Sequence, residues 1–169
     1  KDYIDDGSVK YLHTKQASHF EMARTKNVTA KNASGEIVCW VDGDNFLSEN
    51  YADYLNETFN ENEDIILNNI VRVTKKREAG PNWGRIALMK KYFLDMGGYD
   101  ETFQGWGWEE RDFKQRIRLH LNLQDVKFEK HDSNYIEHES TFHRPKRSNL
   151  RNRELARQNR KQKRYIENT

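Results

Sequence analysis

Apolar positions along this chain come in short runs whose spacing switches repeatedly between a period near two and a period near 3.6. Residues 8–12 (SVKYL) predict a short strand, and 16–33 predict a helix with Phe20, Ala23, Asn27 and Ala30 along one face. Residues 36–41 (EIVCWV) form a compact β-branched run of the kind found in a strand buried on both faces. Ser48 reads as the N-cap of a helix through Phe59 that turns Tyr51, Tyr54, Leu55 and Thr58 toward a sheet. Residues 64–73 and 84–89 predict further strands, followed by a short helix over 90–96 that Gly97-Gly98 ends. A helix from Glu109 to about Leu121, strands near 125–129 and 134–138, and a basic helix complete the order. This alternation predicts an α/β layered domain with a mainly parallel sheet. A strand as apolar as 36–41 should be central, with neighbours on both sides, so the sheet is expected to lack a first strand and helix.

Composition narrows the picture. At 169 residues the chain is the length of one domain. Residues 1–143 read as its main folded unit, N-terminally incomplete, and 144–169 as a basic helical tail. Only 35% of residues are hydrophobic against 33% charged, and the mean hydropathy is −1.11, which suits a thin core or a partial one. The longest apolar run is too short to cross a bilayer. A single cysteine, Cys39, excludes a disulfide framework or a cysteine-based zinc site within the chain, and a reducing, cytoplasmic setting fits it. The net charge of +2 is unevenly spread: Arg144 to Arg164 holds ten Lys or Arg and one acid, Glu154, leaving 19 basic and 26 acidic residues elsewhere. The tail therefore suits packing on the domain, or peripheral contact with an anionic membrane at its inner face. Nucleic-acid binding through 144–164 is the least favoured use, because the remainder is acidic.

Three segments carry candidate chemistry. V-D-G-D-N (41–45) ends the most apolar strand, where open α/β sheets bind ligands. Asp42 and Asp44, two apart on an extended chain, project to one side, and such hard oxygen donors suit Mg²⁺ or Mn²⁺ holding a diphosphate. The competing reading is a strand-end turn whose Asp caps the next helix. In G-W-G-W-E-E-R-D-F (105–113), Trp106 and Trp108 match neither helix nor strand periodicity, and aromatic faces beside Glu109 and Glu110 suit a pyranose. The bland alternative is a helix start, where acids are favoured by the dipole. Asp112 and Arg116 are spaced for a structural ion pair. His138 and His143 lie in Y-I-E-H-E-S-T-F-H-R (135–144), and a neutral imidazole can join carboxylates around Mn²⁺.

Taken in order from about Phe20 to His143, these segments resemble the β-1,4-galactosyltransferase family and related bacterial inverting glycosyltransferases of the chondroitin-polymerase-like kind. G-W-G-W-E-E-R-D-F looks like the family's Trp-Gly-rich acidic motif, V-D-G-D-N like its metal-binding Asp-x-Asp, and His138 falls on its metal histidine. F-E-M-A-R-T-K-N (20–27) is similar to the helix near the nucleotide, and N-W-G-R-I-A-L-M-K (82–90) to the strand against the donor sugar. The resemblance implies a glycosyltransferase-A (Rossmann-like) fold with a mixed, mainly parallel sheet flanked by helices. It further implies a UDP-sugar donor, a carbohydrate acceptor, Mn²⁺ or Mg²⁺, and inverting transfer of a hexose or N-acetylhexosamine. Residue by residue, it makes Asp44 and His138 metal ligands, with Asp42 toward the ribose or a metal-bound water. Glu110 becomes the base, and Glu109 the holder of acceptor or donor hydroxyls. Trp106 and Trp108 would line the acceptor, and Arg24, Asn27, Trp83 and Gly84 the donor. The chain departs from the family pattern at Tyr135, Arg111 and Met22, where the family has a methionine ligand, an acid and a basic residue. The main rival is a carbohydrate-binding module that uses Trp106 and Trp108 without metal or nucleotide.

Overall fold

The computed structural model describes residues 7–13, 21–43, 45–68, 85–128 and 146–162, the side chains of the last stretch from 149 onward. Asp44, Trp83, Gly84, Tyr135, His138, His143 and the strand expected over 134–138 lie outside the described residues.

The described chain runs α1 (Met22–Asn32), β1 (Ile37–Trp40), α2 (Tyr51–Glu61), β2 (Ile65–Asn68), β3 (Ile86–Met89), α3 (Lys90–Asp95), α4 (Glu109–His120), β4 (Gln124–Val126) and α5 (Lys146–Gln162). The strands form one sheet in the order β1-β3-β2-β4. β3 pairs antiparallel with β1, Val38 opposite Leu88, and antiparallel with β2, Ile66 opposite Leu88. β2 pairs parallel with β4, Ile66 opposite Asp125. Thus β1, β2 and β4 share one direction and β3 alone is reversed. The sheet is mixed, as expected, but two of its three described pairings are antiparallel because the reversed strand sits between β1 and β2.

Strand alternation sorts the core into two layers. Val38, Ile66, Ile86 and Leu88 face Ala23 and Ala30 of α1, Phe93 of α3, and Phe113 and Ile117 of α4. Ile65, Leu67 and Ala87 face Tyr51, Leu55 and Phe59 of α2, with Phe128 beside them. Each such large side chain contributes about 1.5–3 kcal/mol by leaving water, so helices on both faces are what hold this four-stranded sheet. α2 begins at Tyr51 with Asn50, not Ser48, at its N-cap, and the Tyr51 N–H donates to the Ser48 carbonyl at 3.1 Å, closing a turn ahead of the helix.

One expectation is corrected. Residues 8–12 form no strand: Val9 is 49% and Tyr11 67% exposed, and alternation without a pairing partner does not make a ladder. β1 lies at the edge of the described sheet, with Val38 its one fully buried residue. β-branched composition favours a strand but does not say how many neighbours it has.

Candidate functional site

The three co-directional strands end at one edge of the sheet, and β3 starts there, since Trp40 and Asn68 are both opposite Ile86. Asp42 follows β1 at this edge. Its carbonyl accepts from the Asn45 N–H at 3.0 Å, closing the V-D-G-D-N turn. Arg85, just before β3 and 1% exposed, secures that turn: its guanidinium donates to Asn45 Oδ1 at 3.1 Å and lies over the rings of Tyr51 and Phe128 at 5.5 and 6.0 Å. Sequence reasoning passed over Arg85. The available signal was an arginine directly preceding the apolar run of β3.

The second part of the site is the loop between α3 and α4. Gly97 and Gly98 leave α3 with φ of 68° and 71°, conformations open to glycine. A Cβ on Gly98 would run into the Asn27 side chain. Asn27 itself is buried: its amide donates to the Tyr99 carbonyl at 2.9 Å and to Glu101 Oε1 at 2.8 Å, and accepts from the Tyr99 N–H at 2.8 Å. Arg116 grips the same turn, donating to the Met96 and Gly98 carbonyls at 3.0 and 2.7 Å while paired with Asp112 at 2.8 Å. Further along, Gly105, Gly107 and Trp108 have φ of 73°, 93° and 80°. For a tryptophan this left-handed backbone is strained, and it persists only where surrounding contacts impose it.

Those contacts come from α5. Trp108 Nε1 donates to Asn149 Oδ1 at 3.1 Å, and its ring has Arg111 at 4.8 Å and Arg153 at 5.8 Å. Asn152 donates to the Gln104 and Gly107 carbonyls at 3.1 and 2.9 Å, and Asn159 to Asp100 and Asp112 at 3.0 and 2.9 Å. Asn149, Asn152, Ala156 and Asn159 recur at helical spacing, so the basic helix turns an amide-rich face onto the loop.

Straight after Trp108, α4 opens with both glutamates, and its N-terminal dipole favours negative charge there. Glu109 is 5% exposed, and its Oε2 has no hydrogen-bond partner among the described residues. Burial pushes its carboxyl above the ordinary range, with Glu110 adding to the rise and Lys26 opposing it. Glu110 is half-buried and its Oε1 accepts from Lys26 Nζ at 2.6 Å. The same ammonium lies 5.2 Å from the centre of the Tyr99 ring. Tyr99 is buried under Trp40, edge-on at 5.6 Å, and its phenol is pushed well above the ordinary range by burial, with Glu110, Glu109 and Asp42 adding to the rise. The end of β1, through Trp40, and the start of α4, through the Lys26–Glu110 pair, therefore meet at the Tyr99 ring.

The remaining residues singled out from sequence are placed as follows. Arg24 is exposed and pairs with Glu21 at 3.1 Å. Asn27 is committed to Tyr99 and Glu101, as above. Trp106 is half-buried in the loop, where Gly105 forms an isolated parallel bridge with Glu21. Among the described residues no three His, Cys, Asp or Glu stand together as a metal site. The described part of the donor set does fit a hard divalent cation, since Asp42 is a half-buried carboxylate held by a closed turn at the ligand-binding edge. A 670 Å³ cleft lined by Gly35, Asn56, Phe59 and Met89 lies at the other end of β1 and is not part of this site.

A mixed sheet covered by helices on both faces, with carboxylates beyond its strand ends, is the architecture of the glycosyltransferase-A fold. Residues 71–139 match the family model described as the N-terminal domain of galactosyltransferase. Comparison with curated protein sequences gives no significant match. Among solved structures, the catalytic domain of Drosophila beta1,4galactosyltransferase 7 in complex with xylobiose superposes with a TM-score of 0.58 at 17% identity, over 99% of this chain and 72% of that one. A mutant of the Drosophila enzyme in complex with manganese, UDP-Gal and xylobiose superposes with a TM-score of 0.55 at 18% identity, over 92% of this chain and 69% of that one.

Proposed function

We propose that this glycosyltransferase moves a hexose or N-acetylhexosamine from a UDP-sugar to a carbohydrate hydroxyl with inversion, using Glu110 as base. The observation that supports the reading is the packing of the buried Tyr99, which lies against Trp40 at the end of β1 and beneath the Lys26 ammonium that grips Glu110 at the start of α4. In the step, the acceptor oxygen bonds to the anomeric carbon as the bond from that carbon to UDP breaks. The electron pair of the broken bond leaves on the diphosphate, and the hydroxyl proton passes to Glu110. Glu109 holds acceptor or donor hydroxyls, and Trp106 and Trp108 border the acceptor. Asp44 and His138, with Asp42 toward the ribose or a metal-bound water, would hold Mn²⁺ or Mg²⁺, which offsets the diphosphate charge when bound. Arg24, Trp83 and Gly84 line the donor side, and Asn27, whose amide is spent on Tyr99 and Glu101, supports that side through the loop it holds.

Glu110→Gln tests the base. It should keep the fold and the affinity for UDP but lower kcat by about 10²–10⁴-fold, the usual worth of a positioned base. Transfer at the native rate contradicts the assignment. Titration calorimetry with UDP and Mn²⁺ separates this reading from a carbohydrate-binding module, which would take glycan without either. The exposed Arg157, Arg160 and Lys161 of α5 support peripheral contact with anionic membrane at its inner, cytoplasmic face. Reversing Arg157 and Arg160 to Glu should abolish co-sedimentation with phosphatidylserine vesicles, and unchanged co-sedimentation contradicts that contact.

A further inference from the structure

A lysine ammonium withdrawn from water needs a partner that justifies its burial, and Lys26 is a mid-helix residue of α1 that is only 9% exposed. Its partner is Glu110, 84 residues away in sequence, at 2.6 Å. Both side chains are largely shielded, so this pair is not one of the exposed, solvent-screened pairs that contribute little. The ammonium also lies on the Tyr99 ring, which fixes its position from a second side. Only Oε1 of Glu110 is engaged by Lys26. Lys114, one helical turn beyond Glu110, supplies a further positive charge to the same carboxylate.

We infer that Lys26 is a positioning residue for the transfer reaction: it grips Glu110 by Oε1, fixing the rotamer in which Oε2 takes the proton of the acceptor hydroxyl. Lys26 touches neither sugar, and acts through Glu110. The inference rests on the assignment of Glu110 as base. A carboxylate on a side chain with several rotatable bonds is an effective base only when held in reach of its proton, and a shift of about 1 Å can cost about 10²-fold in rate. α1 thereby becomes part of the reacting geometry through a residue that faces α4.

The test is a double-mutant cycle in the full chain, measured as kcat and acceptor KM. Lys26→Met, which keeps length and burial, should lower kcat by about 10- to 100-fold with little change in KM. Lys26→Arg should recover most of the loss, since a guanidinium can also donate to Oε1. In a Glu110→Gln background, Lys26→Met should cost little further, because its loss is exerted through the missing carboxylate. A purely structural lysine would cost the same factor in both backgrounds, and that result, or a native kcat for Lys26→Met, overturns the inference. A native rate for Glu110→Gln alone overturns the base assignment instead, so the two failures are distinguishable.

Discussion

Glu109 carries a carboxyl into the protein interior, and burial raises its proton affinity in the folded chain above that of the unfolded one. Linkage fixes the sign. Its contribution to stability is fully present below the ordinary value of 4.5 and is lost as pH rises through the higher folded value. Glu109→Gln removes that loss, so its melting temperature should gain on the native protein as pH climbs above 4.5. A difference in melting temperature that is constant with pH contradicts this account. Asp112 is also raised by burial, but it is paired, and Arg116 loses its buried partner when the carboxylate is removed: Asp112→Ala should cost about 3–5 kcal/mol in denaturant unfolding. That pair was legible from sequence, because residues four apart on a helix are neighbours. Lys26 and Arg85 were not, because a polar residue on a helix face or before a strand reads as solvated until its distant partner is known. Glu109 and Glu110 stood out through their tryptophan and glycine neighbours, but their unlike environments, one with a buried Oε2 lacking a partner among the described residues and one gripped by a lysine, emerge only from tertiary packing.

Among the elements, α5 changes most in meaning. Charge leaves it free to pack on the domain or to meet a membrane, and its asparagines supply the packing by holding the carbonyls of Gln104 and Gly107 and the indole of Trp108. Hydrophobic periodicity could not reveal this face, because its contacts are amides. Asn152→Ala leaves two loop carbonyls without that donor and should cost about 1–3 kcal/mol. If the loop borders the acceptor, the same variant raises acceptor KM more than donor KM, and equal changes in both would detach the loop from acceptor binding. The cores of the strands near 36–41, 64–73 and 84–89 and the helices over 90–96 and 109–121 were legible because each has a strong local period or a glycine stop. The 8–12 segment failed because alternation specifies a strand only when a neighbour exists to pair with it.

For the molecule as a whole, the sheet serves as a frame that brings distant parts of the chain to one edge. The turn after β1 is tied down by Arg85, the loop after α3 by Asn27 and Arg116, and the start of α4 by Lys26. An α/β class with a mixed sheet was legible because strands and helices alternate, but the reversed β3 was not, since strand direction is a property of pairing and not of composition. The central claim is that the strand-end carboxylates and the first turn of α4 form one pocket around a metal-bound nucleotide. Paramagnetic broadening by Mn²⁺ in the presence of UDP, read on side-chain NMR signals, tests it directly. The account predicts that Glu109, Glu110 and Trp106 broaden together with Asp42, while Asn60 at the far end of α2 stays sharp. Broadening confined to the 41–45 turn, with α4 untouched, would contradict it.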